Sequence, residues 1–173
     1  MFDFCVIGGG MVGATLAIGL SDLGYTVALV ESNKPTDFDK RQPPDLRVSA
    51  ISLTSEKLLT HLGAWRFIQR MRLCQYKRLS VWDEPRARTD FESAAIGASH
   101  LGHIVENRIV QLGLHQVIAN KPGITCYWND AVQAIQNNGQ SAVTLASGNI
   151  IESRILVGAD GGTQWFGKCR ILE

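Results

Sequence analysis

Phe2-Asp3-Phe4-Cys5-Val6-Ile7-Gly8-Gly9-Gly10-Met11-Val12-Gly13 is the stretch that decides the fold class. A mostly apolar run is stopped by three consecutive glycines, and a fourth follows at Gly13. A short apolar run closed by glycine predicts a strand buried on both faces, as in a parallel sheet. From Gly13 to Leu23 the apolar residues Ala14, Leu16, Ala17 and Leu20 recur at helical spacing, and Gly24 stands where a C-terminal cap glycine belongs. Tyr25 to Val30 predicts a second strand, ending at Glu31. The chain therefore opens on a βαβ unit, whose crossover is expected to be right-handed.

The spacing Gly8-x-Gly10-x-x-Gly13 lies between a strand and a helix, and this context gives it chemical meaning. Gly8 allows the tight turn. Gly10, without a side chain, lets a pyrophosphate approach the backbone, and Gly13 lets the helix pack close to the strand. Free N–H groups and the positive end of the helix dipole then face the phosphates. Glu31 lies 18 residues beyond Gly13 at the tip of the second strand. A carboxylate there accepts hydrogen bonds from ribose hydroxyls and repels a 2′-phosphate, which disfavours NADP at this site.

With 173 residues the chain is long enough for one ordinary domain, and 45% hydrophobic content excludes a disordered one. A net charge of +1 gives no field that would select nucleic acid. Cys5, Cys74, Cys126 and Cys169 form no CxxC pair, so they read as buried free thiols in a reducing cytoplasm. The N-terminus has no basic segment ahead of its apolar run, and no stretch reaches the length of a membrane span.

Beyond Glu31 the pattern stops alternating strand with helix. Ser32 to Asp45 carries Pro35, Pro43 and Pro44 and predicts a loop. Thr54 to Leu62 predicts a helix with Thr54 as N-cap and Gly63 as stop. Arg78 to Trp82, the region around Phe91 and Leu101 to Val105 predict strands, and Asn107 to Ala119 a helix. Ile124 to Trp128, Ala131 to Ile135, Ala142 to Leu145, Asn149 to Ile151 and Arg154 to Gly158 form a tail of short strands, expected to be largely antiparallel. The last of them runs into Ala159-Asp160-Gly161-Gly162, and Thr163 to Glu173 reads as the start of an unfinished element. A plain NAD domain would have continued βαβ.

The segments Val6 to Gly13, Leu46-Arg47-Val48-Ser49-Ala50-Ile51, Ser55 to Leu59, Ser99 to Asn107 and Val157-Gly158-Ala159-Asp160-Gly161 resemble the flavoprotein aromatic hydroxylases, the group A monooxygenases related to p-hydroxybenzoate hydroxylase. Within these the chain is similar to the ubiquinone-biosynthesis hydroxylases of the VisC/UbiI type. The resemblance implies an α/β, Rossmann-like FAD-binding fold with antiparallel β insertions. Residues 1–173 would be a partial FAD/NAD(P)-binding domain, with 64–106 contributing to the substrate-domain side. The family's later Gly-Asp flavin motif has no counterpart after Gly161, so the chain is expected to be C-terminally truncated. FAD is the implied cofactor, NAD(P)H the implied reductant and a polyprenylated phenol the implied substrate. Arg47 would contact the ribose and pyrophosphate, Asp160 and Gly161 the flavin and nicotinamide cofactors. Asn107 stands where many members place an arginine that touches the flavin. The plain alternatives are a surface arginine in a proline-rich loop and an ordinary strand-end turn. No residue is identifiable as a catalytic acid, base or nucleophile.

His100-x-x-His103 reads as structural, since it falls on or near a strand and no third metal ligand is evident. Arg66, Arg70, Arg72, Lys77 and Arg78 read as a solvated face, with peripheral membrane contact as the alternative. Self-association and membership of a ubiquinone-biosynthesis complex stay open. Two functions compete: an FAD-dependent hydroxylase, and an inactive nucleotide-binding or partner-binding module.

Overall fold

A computed structural model describes residues 1–83, 87–137 and 141–161. The chain divides into two compact units, one of Met1–Asp37 with the chain from Leu114 onward, the other of Phe38–Gly113. The first unit opens with β1 (Phe2–Ile7), α1 (Met11–Asp22) and β2 (Val27–Glu31). The second holds β3 (Val48–Ser52), α2 (Leu53–His61), α3 (Trp65–Ile68), β4 (Cys74–Tyr76), β5 (Arg78–Trp82), β6 (Arg88–Glu92), a 3-10 turn at Ser93–Ile96 and β7 (Gly102–Glu106). Helix α4 (Asn107–Ile118) follows, its last residues belonging to the first unit. Strands β8 (Ile124–Trp128), β9 (Val132–Asn137), β10 (Ser141–Leu145) and β11 (Ile150–Gly158) continue the first unit.

The first unit is built on a six-stranded sheet of order β8-β2-β1-β11-β10-β9. Strands β8, β2, β1 and β11 run parallel, with Phe4 opposite Val27 and Ile155, and Ile7 opposite Val30 and Gly158. This is the expected βαβ opening, with β2 next to β1. Cys5, Ile7, Ala28 and Val30 join Val143, Leu145 and Ile151 in one buried cluster. Alternation sends Val6, Val27 and Leu29 to the opposite face, and these are also fully buried. A strand covered on both faces must be apolar throughout, which is why β1 and β2 read as continuous apolar runs. On α1 the buried face is made of small residues, Gly13, Ala14 and Ala17, with Ile18.

The tail differs from expectation. Ile124 to Trp128 is not part of an antiparallel run; as β8 it pairs in parallel with β2 and extends the Rossmann-like sheet. The two strands expected at Asn149–Ile151 and Arg154–Gly158 are one, β11. Its first part pairs antiparallel with β10 and its later part parallel with β1, and Ser153 sits in both ladders with no exposed surface. The residues from 162 on, Cys169 among them, lie outside the described residues.

In the second unit β3-β7-β4 form an antiparallel sheet, and β5 and β6 pair as a separate ribbon. The cap of α2 is Ser52, whose hydroxyl accepts from Ser55 N–H at 3.3 Å, not Thr54. Gly63 does end that segment, with φ of +79°. Strands β3 and β4 and the single-turn α3 were not expected from the sequence. Their residues alternate weakly, because only Ile51 of β3 and no residue of β4 is buried. The thiols also depart from a uniformly buried set, since Cys74 is exposed. Burial pushes the Cys5 thiol up to about 12 and Cys126 to about 11, so both are inert.

The basic stretch is partly built into the unit. Arg72 bridges buried Glu106 at 3.2 Å and donates to the carbonyls of Lys40 and Gln42, and Arg78 pairs with Glu92 at 2.8 Å. Among the described residues no helix is long and apolar enough to cross a membrane.

Candidate functional site

In the first unit the chain leaves the carboxyl ends of β1, β2 and β11 around one cleft. Its volume is about 270 Å³, and it is bounded by Ile7, Gly8, Val30, Ser32, Asn33, Asp160 and residues 130–132. Ligands in open α/β sheets sit outside the carboxyl ends of parallel strands.

The glycines divide the work. Gly8 has φ of +102°, donates to Val30 C=O at 2.8 Å, and would place a Cβ 2.4 Å from Ala159 C=O. It is glycine because the turn and the crossing of β11 leave no room. A Cβ on Gly13 would stand 1.9 Å from Gly8 C=O, so the close packing of α1 on the turn excludes any side chain. Gly10 differs. Beyond its chain neighbours, a Cβ there would meet no described residue within 4 Å, so no group among the described residues accounts for the missing side chain. Gly10 is also the N-cap of α1, and the helical ladder begins with Ala14 N–H on Gly10 C=O at 2.9 Å. The amides of Met11, Val12 and Gly13 precede that ladder, and no acidic residue occupies the first turn.

Glu31 closes the other side of the turn. One carboxylate oxygen accepts from Gly9 N–H at 2.7 Å and the other from Asn33 N–H at 2.8 Å. Each oxygen keeps a lone pair for a further donor such as a ribose hydroxyl. Glu31 therefore both shapes the glycine loop and can receive a ligand.

Two neighbours carried no signal in the sequence. His115, on α4, donates from Nε2 to Gly9 C=O at 2.7 Å, and its ring lies 4.5 Å from that of Trp128. Burial holds the imidazole below its usual pKa, with the Gly9 bond and Glu31 acting the other way. A neutral ring with its proton on Nε2 suits that bond. Lys34 Nζ lies 5.6 Å from the Trp128 ring. Helical periodicity marks His115 only as a buried position, and nothing local ties it to Gly9, 106 residues away.

Arg47 and Asn107 lie together in the second unit. Asn107 N–H donates to Arg47 C=O at 3.0 Å, and Ser49 hydroxyl donates to Asn107 Oδ1 at 2.6 Å. Arg47 is exposed. The next residue, Arg108, holds Asp45 through Nε at 2.8 Å and Nη2 at 3.3 Å. Asp160 lines the first unit's cleft, and Gly161 has φ of +62°.

The first-unit residues fit the adenosine-diphosphate end of FAD. Gly10 leaves open backbone at a helix N-terminus, and the Glu31 carboxylate retains acceptor capacity. When bound, the flavin would supply hydride acceptance and activation of dioxygen.

The chain is 35% identical over 160 residues to 3-demethoxyubiquinol 3-hydroxylase of Escherichia coli (strain K12), covering 92% of this chain and 41% of that protein. It is 33% identical to the mitochondrial ubiquinone biosynthesis monooxygenase COQ6 of Xenopus tropicalis, over 93% of this chain and 38% of the relative. The chain thus spans about two fifths of the length of these relatives. A solved Pseudomonas aeruginosa PqsL mutant shares the fold with a TM-score of 0.75 at 18% identity, over 96% of this chain and 45% of that one. p-Nitrophenol 4-monooxygenase PnpA from Pseudomonas putida DLL-E4 does so with a TM-score of 0.71 at 17% identity, over 96% and 42%. The family model described as an FAD binding domain matches residues 1–172, and the chain belongs to that family.

Proposed function

We propose that the chain is the N-terminal FAD-binding portion of a flavin-dependent monooxygenase that hydroxylates a polyprenylated phenol in ubiquinone biosynthesis, with NAD(P)H as reductant. The observation that carries this reading is Gly10, an N-cap glycine whose missing side chain faces open space beside a carboxylate with acceptor capacity to spare. The ubiquinone-biosynthesis names of the relatives support the substrate class.

In this reading the amides at the start of α1 hold the pyrophosphate, and Gly8 and Gly13 keep the turn tight. Glu31 accepts the ribose hydroxyls. Arg47 offers a cation to the diphosphate, Asn107 serves the flavin, and Asp160 with Gly161 serves the flavin and the nicotinamide donor. Residues 64–106 lie toward the substrate. A prenylated substrate partitions into lipid, so the enzyme works at the cytoplasmic face of a membrane.

The test is titration of the chain with FAD and with ADP, followed by fluorescence or calorimetry, for wild type and Glu31→Gln. The expected result is saturable binding of both, weakened in Glu31→Gln. Flavin binding indifferent to Glu31→Gln and to excess ADP would overturn the site assignment.

A further inference from the structure

Three side chains in the second unit converge on a point that the nucleotide site does not use. Glu56 stands in the first turn of α2, His103 on β7, and His100 in the segment before that strand. His100 Nε2 lies 2.9 Å and His103 Nδ1 lies 3.1 Å from the same oxygen, Glu56 Oε2. The three ligand atoms all lie within 4.8 Å of one another. The sequence offered the His-x-x-His pair without a third group, because Glu56 is 44 residues from His100. The fold supplies it.

We propose that Glu56, His100 and His103 form a binding site for a divalent transition metal, Zn²⁺ or a similar ion. Two imidazole nitrogens and one carboxylate oxygen suit zinc, cobalt or nickel far better than magnesium or calcium, which prefer all-oxygen sets. Zinc holds such ligands at about 2.0–2.2 Å, which places ligand atoms of a tetrahedral site about 3.3 Å apart. The two edges at Glu56 need to open by a few tenths of an ångström, and the edge between the two imidazole nitrogens, at most 4.8 Å, to settle to a similar length. The side chains are 20%, 13% and 10% exposed for Glu56, His100 and His103, enough for an ion to enter with a water as fourth ligand.

The surroundings orient the ligands. His100 Nδ1 lies 2.8 Å from Ser99 Oγ. With the proton on Nδ1 donated to that hydroxyl, the Nε2 lone pair faces the metal, the outer-sphere arrangement usual for metal-bound histidine. On binding, each ring moves the proton facing Glu56 to its other nitrogen. Trp65 is buried and lies edge-on to the His103 ring at 5.2 Å, forming an apolar wall. A bound ion would fasten α2 to β7 across 47 residues of chain.

The experiment uses the whole chain with Co²⁺ as spectroscopic probe and Zn²⁺ as competitor. One equivalent of Co²⁺ is expected to give visible d–d bands of a four- or five-coordinate site. Zn²⁺ should abolish the bands and raise the thermal midpoint. Glu56→Gln, His100→Ala and His103→Ala should each weaken binding at least tenfold. The exposed His61 and the exposed thiol Cys74 serve as controls, and His61→Ala and Cys74→Ser should leave binding unchanged. The spectrum of the unaltered chain does not depend on any variant folding. Absence of d–d bands at millimolar Co²⁺, or binding that survives loss of both histidines or vanishes only in Cys74→Ser, would overturn the proposal.

Discussion

In the first unit the turn after β1 is held largely by backbone, with the side chains of Glu31 and His115 joining it at Gly9. Gly8 N–H bonds Val30 C=O, Ala159 N–H bonds Ile7 C=O at 2.7 Å, and three glycines keep side chains out of the way. In the second unit the loop before β3 is held by side chains. Glu106, 4% exposed, accepts from Asp45 N–H at 2.9 Å and from Arg72, which also gathers the carbonyls of Lys40 and Gln42. The backbone-held turn leaves its approaches open, as a site that takes a charged ligand requires. The side-chain-held loop fills its own polar needs. The difference predicts where each region breaks.

The largest effect is expected at Gly13. A side chain there meets a backbone oxygen that cannot move without displacing β1 or α1. Gly13→Leu should destabilise the fold by about 3 kcal/mol or more, read as a lower urea midpoint. A midpoint unchanged from wild type would mean that α1 does not rest on the turn.

The second unit's clamp should come next. Glu106→Ala strands a guanidinium that is 30% exposed, and loses the cap on Asp45 N–H. Breaking a fully buried pair costs roughly 3–5 kcal/mol, and Arg72's partial exposure reduces this to about 2–3 kcal/mol. Arg78→Ala removes a pair with both partners half exposed or more, and should cost under about 1 kcal/mol. Equal losses for the two would erase the distinction between a built-in clamp and a surface pair.

The same contrast explains what the sequence disclosed. The glycine turn was legible because its constraint is local: spacing, strand and helix are adjacent, and Phe2 to Ile7 was placed to the residue. The polar holdfasts were not, because each joins residues far apart, as His115 joins Gly9 and Glu56 joins His103. Strand β8 was recognised as a strand but placed in an antiparallel run, since parallel and antiparallel pairing impose the same alternation on five residues. Strand β3 was missed because Val48 and Ala50 are exposed and leave no apolar face to read.

A smaller effect is expected with pH. Burial lowers the His115 pKa in the folded chain below the usual 6.5. The unfolded chain then binds more protons, so this residue's contribution to stability is complete above about pH 6.5 and declines as pH falls toward the folded value. Protonation would also place a charge beside Trp128 in a buried site. Denaturation midpoints compared at pH 7.5 and 5.5 should fall more in wild type than in His115→Gln. An equal fall would show that other groups dominate the acid response.

The smallest change in stability, and the sharpest division between fold and ligand, belongs to Gly10. Its φ of −69° and ψ of −171° are open to alanine, and beyond its chain neighbours no atom of the described residues stands within 4 Å of the added Cβ. Alanine is a somewhat poorer N-cap than glycine, but it reduces the freedom of the unfolded chain; the two effects are each about 0.5 kcal/mol and oppose. Gly10→Ala should therefore leave the urea midpoint within experimental error of wild type. Binding should respond differently. If the pyrophosphate binds as proposed, a methyl at the cap would occupy the space through which it reaches the first-turn amides, and a displacement of even a fraction of an ångström would lengthen every hydrogen bond made there. ADP and FAD affinity should fall about tenfold, equivalent to about 1.4 kcal/mol. Gly13→Leu would lose binding through loss of structure, whereas Gly10→Ala would lose it in a chain that remains folded by circular dichroism. Unimpaired ADP binding in folded Gly10→Ala would place the pyrophosphate elsewhere and leave the open space before α1 without a ligand.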